Sequence, residues 1–202
     1  GSMTYSAARF ASPSEPLEVA QTRKYAALAR AMELKSGMSV LEIGCGWGGF
    51  AEHAASTRGV RVTGISLSRE QLAWARERVR GTAIESLCEF RFQDYRDVRG
   101  QYDAIASIEM IEAVGESYWP SYFGQLHDLL KPGGRAGIQA ILIADSRFDD
   151  YRRKTDFIQQ YIFPGGMLLS PTRLRQCGET AGLQLQDMHC FGPDYAETLR
   201  RW

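Results

Sequence analysis

Leu41-Glu42-Ile43-Gly44-Cys45-Gly46-Trp47-Gly48-Gly49 is the stretch on which the fold turns. An apolar strand end runs into a glycine-dense turn. Gly44, Gly46 and Gly49 meet the G-x-G-x-x-G pattern of a nucleotide-binding strand, turn and helix, where missing side chains let the backbone bend sharply and approach a ligand. The pattern alone is weak. A dinucleotide site places a pyrophosphate on the following helix N-terminus and wants a carboxylate roughly 20 residues further on for the ribose. Here the second strand ends Val62-Thr63-Gly64-Ile65-Ser66-Leu67-Ser68 with no acid before Glu70, and Glu42 would repel a phosphate while suiting a cation. S-adenosylmethionine, a sulfonium carrying an amino-acid head, fits that carboxylate better.

Outward from the turn, the chain has 202 residues, 44% hydrophobic and 24% charged, long enough to bury a real core. Gly1-Ser2 reads as a tag-cleavage scar and residues 3–202 as one globular domain. Lysine and arginine number 24 against 24 acids, so no global field draws the chain to nucleic acid. No apolar run approaches a membrane span and no secretory signal is visible, so a cytoplasmic location is expected. Cys45, Cys88, Cys177 and Cys190 are scattered and His53, His127 and His189 isolated, which gives no metal-ligand spacing and no C-x-x-C pair. The cysteines read as reduced, buried thiols.

Periodicity and breakers set the expected order of elements. A helix spans Leu17 to Leu34, with Pro16 at its first turn, and the first buried strand follows from Met38 to Ile43. Phe50 to Thr57 is a helix, Arg61 to Ile65 a strand, and Ser68 caps a helix running to Val79. Strands are expected at Glu89 to Gln93 and Tyr102 to Ile108, the second nearly continuous in apolar residues as in a strand covered on both faces. A helix from Tyr118 to Leu130 breaks at Pro132-Gly133-Gly134 before a fifth strand, Arg135 to Ile143. Residues 147–170 insert a helix from Asp149 to Phe163, and such insertions build substrate pockets. A helix from Ser170-Pro171 to Ala181, a sixth strand from Leu183 to Cys190 and a last helix from Pro193 to Trp202 complete the series. The alternation implies an α/β fold, a doubly wound, mostly parallel, Rossmann-like sheet with ligand at the carboxyl ends of its strands.

At this point the chain resembles the cyclopropane-fatty-acyl-phospholipid synthase family of class I S-adenosylmethionine-dependent methyltransferases. The ordered blocks that carry the resemblance cover nearly the whole chain: Tyr5-Ser6, Leu41 to Gly49, Gly64 to Ser68 with Gln71, Asp94-Tyr95, Ser107 to Gly115, Lys131 to Gly134, Tyr161 to Gly166, and Phe191-Gly192-x-Asp194-Tyr195 with Trp202. It implies that Ser66, the Leu67 backbone and Gln71 replace the missing ribose acid. It puts Tyr5 and Ser6 over the methionine end of the cofactor, Gly44 and Gly46 beneath it, and Asp94 and Tyr95 at the adenine, where a carboxylate accepts from the exocyclic amine and a ring stacks. Glu109 is expected near the cofactor. The alternative for Tyr95 is a packed core aromatic.

The reaction implied is methyl transfer to the double bond of an unsaturated acyl lipid, with S-adenosylhomocysteine as product. The alkene attacks the methyl in line, a carbocation develops, and a proton must leave. In the family a bicarbonate serves as base, held by a cysteine near the amino terminus, a glutamate, a histidine, a backbone group and a tyrosine. Glu112 matches the glutamate and Tyr195 the tyrosine, but the cysteine position is Ala7 and the histidine position Gln139. Gln139 can donate and accept, so an anion or water is expected between Glu112, Gln139, the Ile141 backbone and Tyr195. A proton leaving from the new methyl closes a cyclopropane. One leaving from a neighbouring carbon gives a methyl-branched or methylene chain, and the altered base site leaves that choice open.

Tyr151, Ile158, Tyr161 and Ile162 lie at roughly helical spacing beside Arg152-Arg153-Lys154. They read either as a lid that meets lipid headgroups, giving transient contact with the inner membrane surface, or as an ordinary amphipathic helix. A fold of this type closes with a strand inserted antiparallel beside the fifth, expected beyond the Trp202 position, so the chain reads as a truncated core. An unpaired edge would favour a homodimer. Methyl transfer to another small apolar substrate, or a cofactor-binding module without catalysis, are the remaining alternatives. A nicotinamide oxidoreductase is disfavoured by the missing acid.

Overall fold

Short apolar runs bounded by glycine turns form five parallel strands in the order β3-β2-β1-β4-β5. These are β1 (Ser39–Ile43), β2 (Arg61–Ser66), β3 (Cys88–Phe92), β4 (Tyr102–Ile108) and β5 (Leu130–Gln139). The computed structural model describes residues 2–154, 160–161 and 165–202. The strand order reverses between β1 and β4, and the crevice at the carboxyl ends of that pair is where this topology binds ligands.

Helices cover both faces of the sheet. On one side α1 (Leu17–Ala31), α2 (Gly49–Arg58) and α3 (Arg69–Val79) bury Ala29, Phe50, Ala54, Leu72 and Val79 against Val40, Val62 and Ala104 of the strands. On the other, α4 (Trp119–Leu129) packs Tyr122, Phe123 and Leu126 onto Leu41, Ile43 and Ile105. Alternate residues of β1 therefore serve opposite cores, as the pleat requires. Helix α1 crosses β5 so closely that a Cβ at Gly137 would lie 2.8 Å from the Met32 side chain. Three more helices complete the chain: α5 (Asp145–Arg153), α6 (Pro171–Thr180) and α7 (Gly192–Arg201). Ser68 and Ser170 cap α3 and α6, each accepting the backbone N–H three residues on.

Several expected boundaries move for local reasons. Helix α1 stops at Ala31 rather than Leu34 because Glu33 turns into the left-handed region at φ +54°. Strand β5 starts at Leu130, which pairs with Tyr102. It then passes Lys131 to Gly134 as an irregularity, and ends at Gln139 rather than Ile143. Helix α5 begins at Asp145, four residues before the expected Asp149, because Phe148 is buried and packs 6.4 Å from Trp119. It ends at Arg153, and Ile158, Ile162 and Phe163 of the expected helix lie outside the described residues.

The sixth strand is not formed. From Leu183 to Gln186 half-buried and exposed residues alternate as in a strand, but the alternation is lost by Cys190, and among the described residues no neighbouring strand supplies a ladder for the segment. The thiols also differ from expectation: only Cys45 is buried, Cys88 and Cys177 are partly covered, and Cys190 is exposed.

Candidate active site

The glycine turn after β1 closes on the protein itself. Gly44 and Cys45 both donate their N–H to the Ile65 carbonyl, at 3.0 and 2.9 Å, and Gly48 donates to the Cys45 carbonyl. These amides are therefore engaged, unlike those of a loop that cradles a pyrophosphate. Gly44 has φ +76° and Gly48 φ +80°, and a Cβ there would lie 2.9 Å from Met110 Cγ or 2.8 Å from Ala75 Cβ. Neither position admits a side chain. Above the turn is a partly open cleft bordered by Tyr5, Ser6, Glu42, Gly44 and Gly46.

A strap of residues 4–8 covers this cleft, held by one face of α1. Gln21 donates to the Ser6 carbonyl at 2.8 Å, Lys24 donates through Nζ to Ser6 Oγ at 2.6 Å, and the Tyr25 hydroxyl is 3.0 Å from Thr4 Oγ1. Positions 21, 24 and 25 share a helix face by their spacing. Lys24 is 1% exposed and lies 4.5 Å from the centre of the Tyr25 ring. Burial pushes its ammonium down to about 7, while the negative charges of Glu109 and Glu42 pull it back up. Sequence reasoning missed this lysine, although a cation amid Ala20, Tyr25 and Leu28 on the apolar stripe of a helix was a visible signal.

Glu42 is 2% exposed, and its Oε2 has no hydrogen-bond partner among the described residues. Burial drives its carboxyl well above the ordinary carboxylate range, against the pull of Lys24 and the Ala51 N–H. A buried, half-satisfied carboxylate is costly, and an arriving cationic group would relieve it. The Tyr5 ring lies over Gly46, at the 3.5 Å distance of ordinary contact from a Cβ placed there. Its hydroxyl accepts from Gln71 Nε2 at 3.3 Å, and Gln71 Oε1 accepts from Ser66 Oγ at 2.9 Å. Leu67 beside them is 63% exposed. The glycine floor, the orphaned carboxylate oxygen and this polar chain together fit S-adenosylmethionine.

The adenine end departs from expectation. The Asp94 carboxylate closes on Arg96, two residues on, accepting from its backbone N–H and from its side-chain Nε and Nη2 at 2.7 to 2.9 Å. That pairing, with its hydrogen bonds and charge, holds Asp94 below its ordinary value. Tyr95 is half-buried and meets Tyr122 edge-on at 5.7 Å, which ties it to the core.

Of the residues expected at the base, Glu112 and the Ile141 backbone meet beyond the end of β4. Glu112 Oε1 accepts the Ile141 N–H at 2.6 Å, which explains why the chain leaves β5 before Ile141. Glu112 Oε2 is buried without a partner among the described residues. Burial pushes this carboxyl up to about 7, with Glu109 adding to the rise and backbone N–H groups opposing it. Tyr195, on α7, is half-buried, and burial together with the charges of Glu109 and Glu112 raises its hydroxyl.

Gln139 is differently placed from expectation. Its Nε2 donates to the Ala7 carbonyl at 3.1 Å and to Glu109 Oε1 at 2.9 Å, and Glu109 Oε1 also accepts the Ala7 N–H at 2.8 Å. Both amide hydrogens of Gln139 and the Ile141 N–H are thus engaged with the chain's own acceptors. Two carboxylates border the space as well. A bicarbonate does not fit this donor set. Among the described residues no cluster of three or more His, Cys, Asp or Glu side chains has metal-binding geometry.

The whole chain, residues 1–202, matches the family model described as mycolic acid cyclopropane synthetase. The tuberculostearic acid methyltransferase UfaA1 of Mycobacterium tuberculosis is 43% identical over 208 aligned residues, which cover 99% of this chain and 48% of that protein. The cyclopropane-fatty-acyl-phospholipid synthase of Escherichia coli K12 is 38% identical, covering 99% of this chain and 50% of its own length. A crystal structure of the mycolic acid cyclopropane synthase CmaA1 complexed with SAH and CTAB superposes with a TM-score of 0.90 at 27% identity, over 98% of this chain and 73% of that one. The chain spans about half the length of the curated relatives it matches.

Proposed function

The chain belongs to the mycolic acid cyclopropane synthetase family of S-adenosylmethionine-dependent methyltransferases, and from that premise we propose that it methylates the double bond of an unsaturated acyl chain. One observation carries the reading: the cleft with the orphaned Glu42 oxygen opens at the same carboxyl ends of β1 and β4 as the Glu109 and Glu112 carboxylates.

Bound in the cleft, S-adenosylmethionine supplies an electrophilic methyl group on a positively charged sulfur. Glu42 meets the ammonium of its amino-acid head, and Ser6, held by Lys24 and Gln21, closes over that end. Tyr5 covers the glycine floor, while Ser66, the Leu67 backbone and Gln71 take the adenosine side. Asp94 reaches the base only by releasing Arg96. An alkene is a weak nucleophile that needs no activation by the protein. The residues therefore align two ligands, keep water from the developing cation, and receive one proton.

Loss of the proton from the transferred methyl closes a cyclopropane, as in the Escherichia coli relative's name. A second reading, a branched or methylene chain, is favoured by Ala7 and Gln139 at the base site and by the 43% identity to a tuberculostearic acid methyltransferase. Incubation with S-adenosylmethionine and vesicles of monounsaturated phospholipid is expected to release S-adenosylhomocysteine and add one carbon to the acyl chain. Donor binding by calorimetry with no transfer to any lipid would instead support a module without catalysis.

A further inference from the structure

Three observations single out Glu109. It sits at the end of β4 with φ +48°, a backbone region that side chains other than glycine rarely adopt. The strained residue is held from three directions: its N–H donates to the Gln139 carbonyl at 2.8 Å, and its Oε1 takes the Ala7 N–H and the Gln139 amide. Such strain persists where surrounding bonds over-determine it, and it concentrates at functional sites. Residues 7, 109 and 139 come from the strap, β4 and β5, so three separate segments converge on one carboxylate oxygen. Its charge is felt by Lys24, Glu112 and Tyr195, which places it amid the groups expected to handle the proton.

The other carboxylate is less suited to receive a proton. Both residues are half-buried, but Glu112 Oε2 is wholly out of solvent, whereas Glu109 Oε2, which has no hydrogen-bond partner among the described residues, is not. An acceptor must reach the substrate and afterwards release its proton to water. The misfit of bicarbonate has the same origin, because the donors at Ala7 and Gln139 already hold a carboxylate of the chain.

We propose that Glu109 is the proton acceptor of the reaction, a carboxylate built into the chain in place of a bound anion. This rests on the methyl-transfer reading above. The alkene π pair forms the new carbon–carbon bond as the carbon–sulfur bond breaks and sulfur keeps its electrons. Either a C–H bond of the new methyl then breaks and its electron pair closes a ring onto the cationic carbon, or a C–H bond on a carbon adjacent to the cation breaks and its pair forms a double bond; in both cases the proton passes to Glu109 Oε2. No oxidant or reductant is needed.

Two measurements on the purified chain and its variants test the assignment. Binding of isotopically labelled bicarbonate, followed by NMR, is expected to be absent in the native chain at millimolar concentration and to appear in Glu109→Gly, where glycine accepts the same φ without strain. Turnover is expected to be indifferent to added bicarbonate in the native chain and to fall at least about 100-fold in Glu109→Gln, with donor affinity retained. Bicarbonate binding to the native chain, dependence of its turnover on bicarbonate, or near-native turnover of Glu109→Gln would each overturn the assignment. Absence of all methyl transfer would remove the reading beneath it, while the binding measurement would still decide whether Glu109 occupies the anion's place.

Discussion

At the scale of single residues, the site is governed by carboxylates kept out of water. Glu112 has its carboxyl raised from 4.5 to about 7 chiefly by burial, so its ionised form is less stable in the folded chain than in the unfolded one. The folded state then binds the proton more tightly. Glu112 costs nothing below pH 4.5, begins to destabilise as pH rises, and exerts its full cost above pH 7. Glu112→Gln keeps an acceptor for the Ile141 N–H and removes the charge. It is expected to raise stability above pH 7 by about 2–3 kcal/mol, with no gain near pH 4. Denaturant titrations at the two pH values measure this, and equal effects at both would contradict it. Turnover should fall roughly 10-fold, less than for Glu109→Gln, with donor affinity spared.

Among elements, the strap and α1 act as one piece. Gln21, Lys24 and Tyr25 hold Ser6 and Thr4, while Ala8 donates its N–H to Thr198 on α7 at 3.0 Å. The cover of the cleft is therefore tied to elements distant in sequence. Lys24→Met preserves length but frees Ser6 and removes the buried cation near Glu42, which would make Glu42 protonate more readily and suit an ammonium less. Donor affinity is expected to fall roughly 10-fold by calorimetry. Unchanged affinity would show that the strap plays no part in holding the donor.

The elements also show what could be read in advance. Strands β1 and β4 were legible because they are covered on both faces and so are mostly apolar, and the glycines of residues 44–49 mark a turn with left-handed backbone and little room for side chains. Leu183 to Gln186 has the alternation of a strand, yet a strand requires a partner, and no local pattern reports whether one is present. The convergence of Ala7, Glu109 and Gln139 was hidden because it joins residues 30 to 132 positions apart. Glutamate at positive φ also follows no composition rule. The pair Glu109 and Glu112, three apart just after a strand end, was the one local hint that two acids share a site.

At the scale of the whole molecule, an equal number of positive and negative side chains leaves lipid contact to local features. Among the described residues no helix is long and apolar enough to cross a membrane. On α5, Arg152 pairs with Glu116 and Arg153 with Asp150, each at 2.7 Å, so two of the three basic residues that a headgroup contact would use are engaged on the protein. Surface pairs of this kind are weak and can exchange partners. Co-sedimentation with anionic vesicles is expected at low salt and to be lost at high salt. No binding at either ionic strength would remove membrane contact from the mechanism.

The methyl transfer itself is tested most directly by following a trideuterated methyl group from S-adenosylmethionine into monounsaturated phospholipid by mass spectrometry. The expected result is an acyl chain carrying the label, with two deuterons retained if the proton leaves from the new methyl and three if it leaves from a neighbouring carbon. An acyl pool without label, in the presence of bound donor and intact chain, would contradict a lipid-directed methyltransferase.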